Sequence, residues 1–352
     1  MRVAIEAASL ALSSGGLQRY TSELSVALAR CFPGDEFYLT SDQPFRMPPG
    51  AQPNLKRGGG PTNALERRWW LWGLAREMRR LGADLVHGPD FAVPYIPGRP
   101  SVLTLHDLSP WMDHRWHGDA FRVRRRTPVL LEMGVATMVI TPSESVRTQA
   151  MERFKLRPER VVAVPEAAAP WFTPVEPDTR RNRPYFLFVG TLEPRKNLAA
   201  LVEAWREACA DHKVDLVLAG RRRADCPPLP DEPSLEVLGE VPDEQLPALY
   251  SGALAFVYPS LYEGFGLPVL EAMQCGACVI ASRAVAEAAG DAAIYADGAA
   301  ELARGMRDLL EHPERAPEWR SRSLARAREF TWERTARATY EVYREARKRF
   351  GR

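Results

Sequence analysis

Two carboxylates eight residues apart are the groups in this sequence best placed to do chemistry. Glu263 and Glu271 flank the stretch EGFGLPVLE, which follows an apolar, strand-like run at 254–258. Gly264 and Gly266 expose backbone N–H groups, and the proline after them suits the first turn of a helix. One carboxylate then lies on a loop and the other on a helix. Both can face one crevice, where a carboxylate accepts hydrogen bonds from paired hydroxyls such as those of a ribose.

Arginine and lysine side chains follow two other strand-like runs. Arg195 and Lys196 come after the run at 185–189 and could clamp a diphosphate, since arginine supplies a fork of donors and lysine a point charge. On spacing alone, a solvated turn explains these two residues equally well. Arg221 opens a run of three arginines after the strand at 214–218, and it either reaches a nucleotide or is solvated.

Gly15 and Gly16 lie between a first strand at 2–7 and a helical apolar pattern. Glycine lets a backbone approach an anion closely, and the helix start offers unpaired N–H groups and the positive end of its dipole. The chain contains neither G-x-G-x-x-G nor G-x-x-x-x-G-K-[ST], so neither a dinucleotide fingerprint nor a P-loop is supported.

His106 and Asp107 follow the strand predicted at 101–105. A polar pair at the carboxyl end of a strand is a site candidate, and the histidine could donate to a sugar hydroxyl or act as a general base. His87 follows the strand predicted at 83–86 in the same way. His87, Asp107 and Arg221 are therefore second-rank candidates.

Short strand-like runs alternate with helical periodicity along the whole chain, which predicts parallel sheets covered on both faces. The predicted strands lie at 2–7, 36–40, 83–87, 101–105, 136–141, 161–164, 185–189, 214–218, 235–238, 254–258, 277–281 and 292–295. Five prolines between 165 and 184 interrupt the alternation and predict a linker. Asn197 is a predicted N-cap for the helix that follows it. The fold class is therefore α/β, with two Rossmann-like, doubly wound domains facing one another across a cleft.

Length and composition limit the classes of protein. The 352 residues fit two domains, and 47 Lys plus Arg against 45 Asp plus Glu argues against a nucleic-acid-binding surface. Five scattered cysteines favour a reducing cytoplasm over a disulfide framework or a zinc site. No apolar run reaches the length of a membrane-spanning helix, and the first strand carries Glu6, which is unlike a secretory signal.

Together these stretches resemble the retaining family-4 type glycosyltransferases of the GT-B fold. The matching segments are SSGGLQRYTSELSVAL (13–28), TLHDLSP (104–110), FVGTLEPRKNL (188–198) and YPSLYEGFGLPVLEAMQCGACVIAS (258–282). Within the family, VGTLEPRKN resembles the bacterial O-antigen-type mannosyltransferase branch. The segment VPEAAAPWF (164–172) departs from the glycine-containing turn that the family has there.

The resemblance implies domain boundaries and residue roles. The domains would be an N-terminal acceptor-side domain at 1–166, a linker at 167–184, a donor domain at 185–328 and a C-terminal helix at 329–352 that crosses back onto the first domain. A catalytic role is implied for His106, Arg195, Lys196 and Glu263. Donor binding is implied for Gly15, Gly16, Leu238, Glu240, Gly264, Phe265, Gly266, Leu267 and Glu271. Glu271 would hold the ribose, Glu263 the sugar, and the cations with the Gly15-Gly16 amides the diphosphate.

The implied activity is a retaining transfer of a hexose, best read as mannose from GDP-mannose, to a glycan, lipid-linked or small-molecule hydroxyl in cell-surface polysaccharide biosynthesis. One alternative is a UDP- or dTDP-sugar donor in lipopolysaccharide or natural-product glycosylation. Another is a non-catalytic nucleotide-sugar-binding protein on the same fold. Fixed cations and amides aimed at the leaving diphosphate would stabilise its growing charge, so no metal or other cofactor is expected, and the chain has no D-x-D sequence.

The stretch 57–80 combines three tryptophans with flanking arginines. A helix whose tryptophans belong to the core is the favoured interpretation, and a segment resting on an anionic membrane surface is the alternative. The expected location is cytoplasmic, with peripheral contact at the cytoplasmic membrane face under that alternative. The expected partners are a nucleotide-sugar donor and a glycan or lipid-linked acceptor, without nucleic acid.

Overall fold

The structure of the protein is a computed structural model that describes residues 1–12, 15–96, 98–113, 116, 120–176 and 181–351. The chain forms two compact units. The first comprises Met1–Glu166 and Thr331–Arg352, and the second comprises Ala167–Phe330. Each unit is a parallel sheet with helices, so the predicted α/β fold class is confirmed.

The first unit holds a seven-stranded parallel sheet in the order β3-β2-β1-β4-β5-β6-β7. Its strands are β1 Arg2–Glu6, β2 Glu36–Thr40, β3 Leu55–Arg57, β4 Leu85–Gly88, β5 Ser101–Thr104, β6 Met138–Thr141 and β7 Val161–Ala163. Its helices up to that point are α1 Gly16–Cys31, α2 Leu74–Leu81, α3 Ser109–Met112, α4 Phe121–Glu132 and α5 Glu144–Phe154. The central strands β4, β5 and β6 have all their residues buried, as expected of strands covered on both faces.

The second unit holds a six-stranded parallel sheet in the order β10-β9-β8-β11-β12-β13. Its strands are β8 Tyr185–Val189, β9 Asp215–Ala219, β10 Leu235–Gly239, β11 Ala255–Tyr258, β12 Val279–Ala281 and β13 Ile294–Tyr295. Its helices are α6 Leu198–Ala208, α7 Leu246–Gly252, α8 Leu267–Gln274, α9 Ala286–Ala289, α10 Ala299–Glu311 and α11 Ala316–Ala327. The run YFLFV of β8 is buried throughout and lies inside the sheet.

The last helix, α12 Trp332–Arg349, belongs to the first unit. The Thr331 side chain caps it by accepting from the backbone N–H of Arg334 at 3.2 Å. Tyr343 is fully buried and its hydroxyl lies 2.7 Å from Nδ1 of His87 on β4. Aromatic residues thus anchor the C-terminal helix to the first sheet.

A strand was found at every position where the sequence predicted one, and one strand was missed. The missed strand is β3, in which only Leu55 is buried and the next two residues are exposed. A three-residue edge strand with one buried side chain carries too little alternation to be recognised from sequence. Its pairing with β2 supplies what the pattern lacks.

The prediction of a linker at 167–184 needs correction at its start. Ala168, Ala169 and Phe172 are buried in the core of the second unit, and the amide of Gln274 on α8 donates to the carbonyl of Ala169 at 3.0 Å. Proline prevents regular pairing in this segment but does not prevent its apolar side chains from packing. Residues 177–180 of the predicted linker, and 13–14 ahead of α1, lie outside the described residues.

None of the helices within the described ranges combines the length and the apolar composition needed to span a bilayer.

Candidate functional site

The strand order of the second unit explains which residues meet there. In the sequence β9-β8-β11 the strands are neighbours, and parallel strands end at the same edge of a sheet. The loops at 220–223, 190–197 and 259–266 therefore leave this edge side by side. They carry a set of buried charged side chains, which are Glu193, Arg195, Lys196, Arg223 and Glu263.

Arg195 joins two carboxylates from different loops. Its Nη2 donates to Oε1 of Glu193 at 2.7 Å, and its Nη1 lies 3.0 Å from Oε2 of Glu263. Nη1 also donates to the carbonyl of Tyr262 at 2.7 Å, which fixes the loop before Glu263. On its other oxygen, Glu193 pairs with Arg223. The arginine predicted to clamp a diphosphate thus also builds the loop structure.

Lys196 is almost fully buried, with 5% of its surface exposed. Its Nζ donates to Oε1 of Glu263 at 2.5 Å and to the hydroxyl of Tyr258 at 2.6 Å. Tyr258 is itself held in a stack between Phe188 and Phe256. An ammonium has three N–H groups, so one remains for an oxygen of a bound ligand once the partners among the described residues are counted.

The charges of this cluster set its protonation. Burial raises the pKa of Glu263, but Arg195 and Lys196 lower it further, and the result is a pKa of about 2. Burial together with Arg195 lowers the pKa of Lys196 from its ordinary value, against the charge of Glu263. Glu263 is therefore ionised at neutral pH and acts as a hydrogen-bond acceptor and counter-charge.

The turn that presents the cations is short and tightly bent. Residues Pro194–Lys196 form one 3₁₀ turn, and Asn197 then takes the left-handed conformation with φ of 54°. The predicted N-cap role of Asn197 is wrong in its chemistry, because its side chain makes no cap hydrogen bond to α6. Asparagine tolerates this conformation better than most residues, and the reversal lets α6 begin directly after Lys196.

The glycine-bearing loop is fixed at Gly266, the residue before α8. Gly266 has φ of 112°, and a Cβ added there would lie 2.7 Å from Cγ1 of Val285. Phe265 is 5% exposed and packs edge-on against Phe330, with ring centroids 5.6 Å apart. Gly264 is half-buried and Leu267 is the first residue of α8. Backbone N–H groups are thereby presented at the start of α8, as the sequence predicted for a ligand-binding turn.

Glu271 lies on α8, as predicted, but deep in the unit with 1% of its surface exposed. The hydroxyl of Tyr250 donates to its Oε2 at 3.3 Å. The structure thus places Glu271 beside the loop of Glu263 and gives it a protein partner. Its contact with a ribose stays a prediction.

Three further predicted residues lie around the same edge. Leu238 is half-buried near the end of β10, and Glu240 is exposed directly after it. Arg221 is exposed, whereas its neighbour Arg223 reaches Glu193. Of the three consecutive arginines, the one that joins the cluster is therefore Arg223, which sequence reasoning did not single out. The missed signal for Glu193 was its place in LEPRK, two residues before Arg195.

In the first unit, Gly15 precedes α1 with φ of 115°, and a Cβ added there would meet no atom within 4 Å. Gly15 is half-buried and Gly16, the first residue of the helix, is exposed. The first amides of a sixteen-residue helix lack intrahelical partners, and open space lies beside them. The predicted anion-binding geometry is thus available at the start of α1.

His106 lies after β5 with both ring nitrogens engaged. Its Nδ1 is 3.0 Å from Oε1 of Glu166, and its Nε2 is 2.7 Å from the carbonyl oxygen of Pro89. The Tyr20 ring meets it edge-on at 4.7 Å. A carbonyl only accepts, and so does an ionised carboxylate, so each ring nitrogen must carry a proton to satisfy both. This arrangement makes His106 an imidazolium.

The electrostatics of His106 agree with that geometry. Burial acts to lower its pKa, but Glu166, Asp90 and the Pro89 carbonyl outweigh burial and raise the pKa above the ordinary value. An imidazolium with both N–H groups engaged has no lone pair for accepting a proton. The general-base alternative for His106 is therefore disfavoured, and the structure supports a fixed positive charge.

Two second-rank candidates have structural roles. His87 has no exposed surface, its Nε2 lies 2.8 Å from the hydroxyl of Thr104, and burial lowers its pKa to about 3. Asp107 accepts from the backbone N–H of Ser109 at 2.9 Å and from its hydroxyl at 2.7 Å, and so begins α3. The sequence could not separate these roles from chemistry because both occur at strand ends.

Two carboxyl groups of the first unit were missed by sequence reasoning. Burial raises the pKa of Glu6, at the end of β1, to about 8, and the charges of Asp42 and Asp90 act in the same direction. Burial also raises the pKa of Asp90, which follows β4 near His106. Glu6 was read only as an argument against a signal sequence. Its position at a strand end was the available signal.

No group of three or more His, Cys, Asp or Glu side chains suited to a metal ion occurs within the ranges that the structure describes.

Comparison with known proteins identifies the two units. Residues 172–326 match the family described as "Glycosyl transferases group 1", and residues 14–170 match "Glycosyltransferase Family 4". The chain is 32% identical over 291 residues to O-antigen chain mannosyltransferase B of Escherichia coli, which covers 74% of each protein. It is 28% identical over 340 residues to an alpha-maltose-1-phosphate synthase of Mycolicibacterium smegmatis, covering 83% of this chain and 81% of that protein.

Among solved structures, sucrose-phosphate synthase from Thermosynechococcus elongatus superimposes with a TM-score of 0.74 at 20% identity, over 98% of both chains. At that identity the likeness speaks for the fold. The closely matched sequence relative and the two family matches speak for the family. This chain therefore belongs to the GT-B glycosyltransferases that join a family-4 domain to a group-1 domain, and it is a glycosyltransferase.

Proposed function

We propose that this protein is a retaining mannosyltransferase that moves mannose from GDP-mannose to a hydroxyl of a glycan or lipid-linked acceptor in cell-surface polysaccharide biosynthesis. The observation that carries the choice of mannose is the 32% identity to O-antigen chain mannosyltransferase B, which extends over 74% of each protein. The identity spans both units and is not confined to one motif.

The cation cluster of the second unit suits a diphosphate leaving group. Cleavage of the bond between the anomeric carbon and the diphosphate leaves an oxocarbenium-like sugar and a growing negative charge on phosphate oxygens. The third N–H of Lys196 and the guanidinium of Arg195 are held in place by Glu263 before any ligand arrives. A preorganised charge of this kind lowers the barrier without reorganisation during the reaction. In this proposal the protein's own cations take the place of a metal ion.

His106 contributes charge and not base catalysis in the proposed reaction. Its two N–H groups are held by Glu166 and Pro89, so it offers a fixed positive field at the carboxyl edge of the first sheet. Retention then requires that the acceptor hydroxyl attack from the face that the diphosphate leaves. The leaving diphosphate is the base that this proposal assigns to the acceptor proton.

A donor panel tests the proposal. Purified protein is given GDP-mannose, UDP-glucose, UDP-galactose or dTDP-glucose with an oligomannoside acceptor, and nucleoside diphosphate release is measured together with the linkage formed. We expect release from GDP-mannose and an α-linked product. Turnover with a UDP- or dTDP-sugar alone would reject the donor. Tight donor binding with no transfer in any acceptor would favour the non-catalytic alternative.

A second candidate follows from the relative in Mycolicibacterium smegmatis, whose match covers more of this chain. The product in that protein's name is a disaccharide phosphate. We therefore include glucose 1-phosphate among the acceptors of the panel. Formation of a glycosyl phosphate product in preference to a mannoside would establish this candidate.

A further inference from the structure

Helix α4, Phe121–Glu132, exposes apolar side chains on the face that points away from the core. Its inner face carries Thr127, Leu130 and Leu131, which are 0 to 3% exposed. The opposite face bears apolar residues with half or more of their surface exposed, namely Phe121 (60%), Val129 (50%) and, just beyond the helix, Met133 (74%). A soluble surface seldom shows three large apolar side chains in one line, and such lines mark interaction sites.

The exposed residues are spaced to form one stripe. Phe121, Arg125, Val129 and Met133 stand at every fourth position, so they stack along one side of the helix. Met112 of the adjacent α3 is 54% exposed and lengthens the apolar surface. We call this surface, made by Met112, Phe121, Arg125, Val129 and Met133, the α4 stripe.

The charge of α4 has a single sign over most of its length. Residues 120–131 include four consecutive-turn arginines and no acidic residue. These are Arg122, Arg124, Arg125 and Arg126. The exposed Arg122 and Arg125 flank the apolar stripe, and Arg125 lies over the Phe121 ring at 5.2 Å. Cations beside an exposed apolar line are the composition of helices that lie in the interface of an anionic bilayer.

The helix is held rigidly enough to present that stripe. Pro128 lies inside α4 and has no N–H for the carbonyl of Arg124. The indole N–H of Trp111 donates to that carbonyl at 3.2 Å and so replaces the lost hydrogen bond. The hydroxyl of Thr127 donates to the carbonyl of Phe91 at 2.9 Å. The inner face is thus fixed, while the outer stripe has no apolar partner among the described residues.

The stretch 57–80, which the sequence suggested for membrane contact, lacks this arrangement. Trp69 is 2% exposed and belongs to the core, which agrees with the favoured interpretation of its sequence. Arg76 and Arg80 pair with the buried carboxylate of Glu66. Trp72 is the most exposed of the three tryptophans, at 39%. Paired arginines and buried indoles leave little for a bilayer to bind.

We propose that the α4 stripe docks the protein on an anionic lipid bilayer, with Phe121, Val129 and Met133 inserted at the level of the acyl-chain boundary and Arg122 and Arg125 on lipid phosphates. The proposal goes beyond the assigned transfer reaction, since it concerns the surface on which the protein works. It does not depend on which donor is used. Phospholipid is the one partner that takes both the apolar line and its flanking cations without a shaped pocket.

The test is co-sedimentation with vesicles of phosphatidylglycerol and phosphatidylcholine, with vesicles of phosphatidylcholine alone as the comparison. We expect the full-length protein to bind the anionic vesicles and to be released by raised salt. Replacing Phe121, Val129 and Met133 together by serine should lower the partition coefficient at least ~10-fold. The pair Arg122→Gln and Arg125→Gln should lower it by about 5-fold for each charge removed.

The matched control is the pair Leu65→Ser and Trp72→Ser, which removes comparably exposed apolar groups from the stretch 57–80. Its partition coefficient should equal that of the parent protein. Thermal unfolding and donor-stimulated nucleotide release with a water-soluble acceptor, measured on every variant, report folding and the transfer reaction separately. A binding defect with both unchanged therefore belongs to the surface alone.

Three results would overturn the docking proposal: no binding of the parent protein to anionic vesicles, equal binding by the serine triple variant, or equal loss in the control. If analytical ultracentrifugation instead shows a dimer that the serine triple variant abolishes, the stripe is an interface between copies. Each of these results leaves the donor assignment untouched, because that assignment is read from a different assay.

Discussion

Glu166 lies 3.0 Å from Nδ1 of His106, although sixty residues separate the two in the sequence. The carboxylate stands in the segment VPEAAAPWF, where the sequence departs from the glycine-containing turn of its family. Both side chains are largely buried, with 14% of His106 and 5% of Glu166 exposed. The departure thus supplies the anion that keeps the histidine protonated.

Glu166→Gln tests this pair. Without the carboxylate charge, burial dominates, and we expect the pKa of His106 to fall by about one unit or more. The parent's imidazolium stabilises the fold below the ordinary pKa of 6.5, and that contribution is lost as pH rises through the raised folded-state pKa. In the variant, the loss should begin at lower pH. The basic limb of the kcat profile should move in the same direction.

NMR of the histidine ring carbons measures the pKa directly, and the signal of His106 is assigned by its absence in His106→Asn. An unchanged His106 titration in Glu166→Gln would show that the pair does not control the charge. Restoration of the parent titration by Glu166→Asp is not expected, because the shorter side chain does not reach Nδ1.

Lys196→Ala should lower turnover at least ~100-fold, the scale seen when one preorganised charge donor is removed. Lys196 is held against Glu263 and Tyr258 and has one N–H left for a phosphate oxygen. Glu271→Ala should instead weaken donor binding, if this carboxylate holds the ribose. Steady-state kinetics with isothermal titration of the nucleotide separate the two effects. Unchanged kinetics in both variants would mean that the site is misplaced.

Glu193→Ala should destabilise the second unit by about 3–5 kcal/mol, because it leaves buried cations without their counter-charge. Glu193 pairs with both Arg195 and Arg223, and it is 4% exposed. The matched control is Glu232→Ala, which breaks a partly exposed pair with Arg206 and should cost less than about 1 kcal/mol. Urea unfolding of both variants measures the difference. Equal free energies of unfolding would contradict a structural role for Glu193.

Glu6→Gln should make the protein more stable at alkaline pH and leave it nearly unchanged at pH 5. The folded-state pKa of Glu6 is about 8, against 4.5 for the free side chain. Folding therefore favours the protonated carboxyl, and stability falls as pH rises from about 4.5 to 8, by a few kcal/mol on the order of 1.4 per unit. Glutamine has the same shape and no such penalty.

Thermal melts of parent and Glu6→Gln at pH 5, 7 and 9 check this expectation. The difference in Tm should grow with pH. A constant difference would mean that Glu6 is ionised in the folded state throughout this range. Glu23→Gln serves as the comparison for a less buried carboxyl on the same unit, whose pKa burial raises to about 7.

The sequence by itself determined the alternation of strands and helices and the residue types at the strand ends. Apolar runs such as YFLFV can only be buried strands, because water would otherwise meet five apolar side chains in succession. The same logic located Arg195, Lys196 and Glu263 after strands, where parallel sheets bind ligands. These features depend on local pattern, and local pattern is legible without coordinates.

Only the tertiary structure decided which of those residues share a charge. Glu193 and Arg223 join the cluster because β9, β8 and β11 are neighbours in the sheet, an order that no local pattern states. His87 and His106 look alike at two strand ends, yet one is buried with a lowered pKa and the other is protonated by a carboxylate sixty residues away. Electrostatic energy falls with distance in space and not along the chain, so protonation had to wait for the fold.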